Sequence, residues 1–219
     1  VVVAARRAER LSALVDELKQ QGYEALAVTM DVTDTDSIEA GFSAAEQAFG
    51  VCDILVNNAG IGDPVPFLDM DEGNWRSMLD TNLDGAWRVA HRGCKAMAGS
   101  GQGGSVINIA SILGLRVGKA LAHYAVAKAG VVQLTKAMAM ELAKNGIRVN
   151  AIAPGLIRTD FARALWENPA TLEAVTSTNP LRRIGEPEEI GGIAVFLASK
   201  AGTFITGQAL VVDGGSSIV

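Results

Sequence analysis

The chain has 219 residues, 49% hydrophobic and 20% charged, with a formal net charge of −5. These values suit one α/β domain with a sizeable core, and the mild acidity leaves no nucleic-acid footprint. No apolar run approaches the roughly 20 residues that cross a bilayer, and Cys52 and Cys94 are too few for a disulfide framework.

The pattern alternates strand and helix from the start. Val1 to Ala4 reads as a buried strand. Leu11, Leu14, Val15 and Leu18 follow the i, i+3, i+4, i+7 spacing of an amphipathic helix, closed by Gly22. Ala25 to Thr29 is a second strand, and Asp34 or Thr35 caps a helix running to about Phe49. Ile54 to Val56 is a strand; a long helix covers roughly Trp75 to Met97; Gly99 to Gly104 is a turn. After the strand Val106 to Ile109, a helix runs from Leu121 to about Lys144. Ile147 to Ile152 is a strand, Phe161 to Thr178 a mixed segment, Pro187 to Ala198 a helix with proline in its first turn, and Leu210 to Val212 the last strand. The strands are continuous apolar runs, as burial on both faces of a parallel sheet requires. The expected architecture is a single-domain, doubly wound, mostly parallel sheet.

Ligands in such sheets bind at the carboxyl ends of strands. Arg6-Arg7, Asp31-Val32, Asn57-Asn58-Ala59-Gly60, Ser111 and Pro154-Gly155 all follow predicted strands. Tyr124 and Lys128 lie four apart on a predicted helix, so phenol and ammonium share one face. A lysine charge beside a phenol is expected to lower its pKa from about 10 toward the range where an acid or base works. Cys52, Cys94, His91 and His123 lack metal-ligand spacing, and both cysteines read as buried small apolar residues, so no metal is expected.

Ser111, Tyr124 and Lys128, together with Asn82, Asn57 to Gly60, Pro154-Gly155 with Thr159, and Val211 to Gly215, resemble the short-chain dehydrogenase/reductase family in order and spacing. The likeness is to its single-domain 3-oxoacyl-carrier-protein reductase type, and it covers the chain from Val1 to about Ser216. It implies a Rossmann-like fold and a metal-free carbonyl reductase or alcohol dehydrogenase. Tyr124 would be the general acid or base, Ser111 would orient the substrate oxygen, and Lys128 would tune the tyrosine and hold the nicotinamide ribose. Asn82, at a distortion in the long helix, would carry a water linking the lysine to solvent. Asn58, Ala59 and Gly60 would lie near the adenosine ribose and Asp31 near the adenine amine, with Val32 beside it. Pro154, Gly155, Ile157 and Thr159 would approach the carboxamide.

Ala5 stands where an acidic residue would hold the NAD ribose hydroxyl. Arg6 and Arg7 beside it suit a 2′-phosphate, so NADP(H) is favoured over NAD(H). Ile61, Leu113, Leu156 and Trp166, with Ser111 and Tyr124, could line a substrate pocket, and residues 161–183 could form a lid with Arg163, Arg182 and Arg183 in it and Arg158 just before it. The expected substrate is a ketone or 3-oxoacyl group; an NAD-dependent sugar, polyol or secondary-alcohol dehydrogenase and a catalytically silent cofactor-binding or assembly partner remain open. The resemblance further implies a homotetramer or homodimer paired through the two long helices, and a cytoplasmic location. It also places a strand, a glycine-rich turn and a helix ahead of Val1. The expectation is that the polypeptide extends upstream by roughly 25–35 residues.

Overall fold

A computed structural model describes all 219 residues. Strand β1 (Val2–Ala5) leads into helix α1 (Ala8–Gln20), and β2 (Leu26–Thr29) into α2 (Thr35–Phe49). The Asp34 carboxylate caps α2 by accepting from the Asp36 amide at 2.9 Å, which leaves Asp31 free of that duty. Strand β3 (Ile54–Asn57) is followed by α3 (Glu72–Leu79), a π-helical turn (Asp80–Asp84) and α4 (Gly85–Ser100). The expected long helix is thus interrupted at Asn82, as anticipated. After β4 (Gly104–Ile109) come α5 (Ala122–Leu142) and β5 (Ile147–Pro154). The short α6 (Arg163–Trp166) and α7 (Pro169–Thr176) lie in the mixed segment, before α8 (Pro187–Ala198) and β6 (Ala209–Val212).

Every strand pairing is parallel, with helices covering the faces. The sheet is in two pieces. β1 pairs with β2, and a second sheet runs β3-β4-β5-β6. β4 and β5 are buried almost throughout, and their Val106, Val149 and Ile147 pack with Met97 and Cys94 in the main core. β3 differs. Ile54 and Val56 are each 46% exposed, because they face a cleft of about 1180 Å³ separating β1 from β3. Neither strand has a partner on its cleft side, so both carry free backbone donors and acceptors there.

Several contacts span the halves, among them the Arg88 guanidinium of α4 donating to the Val32 carbonyl at 3.4 Å. Phe42 of α2 packs with Val89 of α4. Above them the Arg92 guanidinium lies 5.0 Å from the Phe42 ring, pairs with both Glu46 oxygens at 2.8 and 3.0 Å, and reaches Glu39 at 2.7 Å. Arg10 of α1 also reaches Asp160, beyond β5, at 3.0 Å. No helix is long and apolar enough to cross a membrane.

Candidate active site

The site forms where β4 ends against the start of α5. Ser111 follows β4 and heads one turn of 3-10 helix (Ile112–Gly114), its hydroxyl accepting from the Leu113 amide at 3.1 Å. This turn is pressed onto α5. A Cβ on Gly114 would lie 2.7 Å from the Lys128 carbonyl carbon and oxygen, so only glycine lets Ser111 come so close to that helix. One helical turn apart on α5, Tyr124 and Lys128 share a face, with the ammonium 5.7 Å from the phenol ring centroid. The Lys128 ammonium donates to the Ile109 carbonyl at 2.8 Å, tying α5 to the end of β4.

Burial governs both titrations. Lys128 is only 5% exposed, and desolvation drops its pKa to about 8. Desolvation also raises the Tyr124 pKa above its ordinary value, opposed by hydrogen bonding from Ser111. The expectation that the lysine would pull the tyrosine down is corrected. The ammonium is directed at the Ile109 carbonyl, and loss of hydration dominates the phenol.

Asn82 is fully buried in its π turn. Its amide nitrogen donates to the Ile61 carbonyl at 2.9 Å and to Met78 Sδ at 2.7 Å, and its oxygen accepts from the Ile61 amide at 3.1 Å. Asn82 therefore clamps the loop after β3. Only one lone pair of Oδ1 is left for a further donor. Gly60 marks that spot: a Cβ there would lie 2.7 Å from Asn82 Oδ1 and 3.7 Å from Lys128 Nζ.

The cleft between β1 and β3 gathers Arg6, Arg7, Asp31, Val32, Asn58, Ala59 and Gly60 along its walls. Asp31 is held by Thr33, whose amide and hydroxyl both donate to Oδ1, at 2.9 and 2.8 Å; these bonds, chiefly the amide, lower its pKa. Its other carboxylate oxygen stays available. Gly60 and Ile61 thus connect this cleft to the Ser111–Tyr124–Lys128 cluster. The loop after β5 sits to one side. Gly155 is required there by the chain itself, since a Cβ would lie 2.7 Å from the Asp213 Cβ. Ile157 bridges to Gly185, and the Leu156 carbonyl accepts from the Gly185 amide at 3.0 Å. Trp166 donates to the Thr159 carbonyl at 2.9 Å and stacks under the Arg158 guanidinium, 5.4 Å from its ring. Its indole thus ties α6 to the Arg158–Thr159 turn after β5. Leu113 lies in the Ser111 turn.

The aromatic ring that reaches Tyr124 is Phe161, with centroids 6.2 Å apart. Sequence reasoning named Phe161 only as the lid's first residue. No local signal pairs it with Tyr124, because the contact joins α5 to a helical turn far away in the chain.

The family model described as enoyl-(acyl carrier protein) reductase matches residues 1–217. The chain belongs to the short-chain dehydrogenase/reductase family. These oxidoreductases bind a nicotinamide cofactor and act on CH–OH and C=O groups. Among curated members, L-rhamnose 1-dehydrogenase (NAD(P)(+)) of Azotobacter vinelandii is 41% identical over 209 residues, covering 95% of this chain and 81% of that protein. The 3-oxoacyl-acyl-carrier-protein reductase of Staphylococcus aureus is 37% identical over 207 residues, 94% of this chain and 83% of that protein. Among solved family structures, a short-chain type dehydrogenase/reductase from Mycobacterium marinum superposes with a TM-score of 0.95 at 38% identity, covering 100% of this chain and 86% of that one. Gluconate 5-dehydrogenase from Burkholderia cenocepacia, solved with NADP and tartrate, gives 0.94 at 34% identity, covering 100% of this chain and 85% of that one.

Proposed function

We propose that this family member reduces a ketone or 3-oxoacyl group to a secondary alcohol, and catalyses the reverse, with NADP(H) favoured over NAD(H). The observation that carries the reading is the convergence of Ser111, Tyr124 and a desolvated Lys128, reached through Gly60 from a cleft lined by Arg6 and Arg7. Arg6 and Arg7 are exposed at the carboxyl end of β1 with no acidic side chain within ion-pair distance, free to grip a phosphate. Asp31, Val32, Asn58, Ala59 and Gly60 would hold the adenosine side. Pro154, Gly155, Ile157 and Thr159 would flank the nicotinamide. A bound nicotinamide supplies the hydride that the carbonyl carbon accepts.

The side chains do the rest. Ser111 donates to the carbonyl oxygen and fixes its direction. Burial keeps the Tyr124 phenol protonated, the state needed to give its proton to the oxygen as negative charge grows there. Lys128, still mostly charged at neutral pH, stabilises the phenolate left behind and holds the ribose. Asn82 keeps the Gly60–Ile61 loop in place beside the lysine; a water on its free lone pair would relay protons to solvent.

The free edges of β1 and β3 suit one further parallel strand. We propose that a strand–turn–helix unit completes the sheet there and supplies backbone amides for the pyrophosphate; intact mass of the natural protein tests this. Trp87, Val126 and Met140, exposed on α4 and α5, suit pairing into a homodimer or homotetramer, which light scattering reads. The proposed compartment is the cytoplasm, where Cys52 and Cys94 stay free.

The deciding test is Tyr124→Phe, which keeps the ring and removes the proton. Turnover falls about 100- to 10,000-fold with NADPH affinity retained; near-normal turnover overturns the mechanism. The sugar-dehydrogenase alternative is tested on the same sample with L-rhamnose or gluconate and NAD.

A further inference from the structure

Phe161 sits on the one-turn helix Asp160–Ala162, at the mouth of the site. Its ring is aimed at Gly62, in the loop after β3. A Cβ on Gly62 would lie 2.3 Å from the ring's Cζ and 3.1 Å from both Cε atoms. The ring also lies 6.2 Å from the Tyr124 ring, tilted by 40°. Asp160, the preceding residue, is tied to Arg10 across the cleft at 3.0 Å and to Arg163. The seat is therefore set by Gly62. Glycine makes the room, and an exposed ion pair from α1 meets the residue just before the ring.

We infer that Phe161 is a specificity-determining residue, walling the space beside Tyr124 so that carbonyls on unbranched carbon chains are accepted and those bearing a ring or branch next to the carbonyl are rejected. The inference rests on the reductase reading and deepens it. A carbonyl oxygen must come within hydrogen-bonding distance of the Tyr124 hydroxyl. Its substituents then lie near the Phe161 ring, whose tip already meets the backbone of Gly62. A flat unbranched chain can slide along the ring face, whereas a second ring competes for its volume.

The test compares kcat/KM for ethyl acetoacetate and ethyl benzoylacetate with NADPH, in the wild type, Phe161→Ala, Phe161→Leu and Gly62→Ala. The ratio of benzoylacetate to acetoacetate is expected to rise about tenfold or more in Phe161→Ala, and less in Phe161→Leu. Gly62→Ala should move the ratio the same way, because the added methyl unseats the ring. An unchanged ratio in both Phe161→Ala and Gly62→Ala overturns the inference. A second readout is independent of turnover. Nitration of Tyr124 by tetranitromethane, scored by peptide mapping against the exposed Tyr23, should quicken in Phe161→Ala. If the wild type reduces neither ester, the reductase reading fails and the specificity role with it. The nitration rate then decides whether Phe161 covers the phenol: quickening upholds the seat, and no change refutes it.

Discussion

Replacing Lys128 with methionine removes a buried charge while keeping an unbranched side chain of similar length. In the wild type, burial lowers the ammonium pKa from its ordinary 10.5 to about 8. Between those two values the unfolded chain holds the proton and the folded chain releases it. The unfolded state then binds more protons, so stability rises with pH across that window. Below pH 8 both states are protonated and the desolvation cost is fully present. At 1.36 kcal/mol per tenfold change in proton affinity, that cost is about 3 kcal/mol. Lys128 is 5% exposed, so solvent screening does not erode it. The wild type should therefore gain about 2.5 kcal/mol relative to Lys128→Met between pH 7 and pH 10. At pH 7 the methionine variant should be the more stable protein, less the lost hydrogen bond to the Ile109 carbonyl, about 1 kcal/mol. The assay is urea unfolding followed by tryptophan fluorescence, at fixed ionic strength. The series stops at pH 10 because the raised Tyr124 phenol has the opposite linkage above that point. A gap between the two proteins that stays constant with pH, or moves against the wild type as pH rises, would refute the claim that the lysine is held against its hydration preference.

Gly114→Ala places a methyl carbon 2.7 Å from the Lys128 backbone, where α5 must give way. It should cost about 1–3 kcal/mol and lower kcat, since Ser111 and Lys128 separate; wild-type stability and turnover together would sink the packing argument. Asn82→Ala strips both partners from the Ile61 backbone. The loss should be about 1–3 kcal/mol in chemical denaturation, with faster hydrogen exchange at the Ile61 amide. Arg6→Ala combined with Arg7→Ala should raise the KM for NADPH about tenfold or more and leave that for NADH little changed. Equal effects on both cofactors would count against the phosphate assignment.

The strand and helix order was legible in the sequence because each element writes its own period locally. Val106 to Ile109 and Ile147 to Ile152 are short segments rich in Val and Ile, the residues that suit a buried strand. Pro187 marks the start of α8, and Asp34 caps α2. The spacing of Tyr124 and Lys128 placed them on one helical face, and the motif set that includes Ser111 pointed to the short-chain dehydrogenase/reductase family.

Other features depend on contacts between distant segments, which no local pattern encodes. The direction of the Tyr124 shift was one, because burial is a property of the packed site and outweighed the lysine charge. The need for glycine at Gly155 was another: Asp213, 58 positions later, occupies the space. So were the clamp of Asn82 on Ile61, the seat of Phe161 on Gly62 and the tie of Arg10 to Asp160. Sequence alone determined the order of the elements, since propensity and periodicity act within a few residues, and named the candidate site residues by their resemblance to a family. The tertiary structure decided how those residues are charged, held and covered, since desolvation and steric exclusion arise only when remote parts of the chain meet.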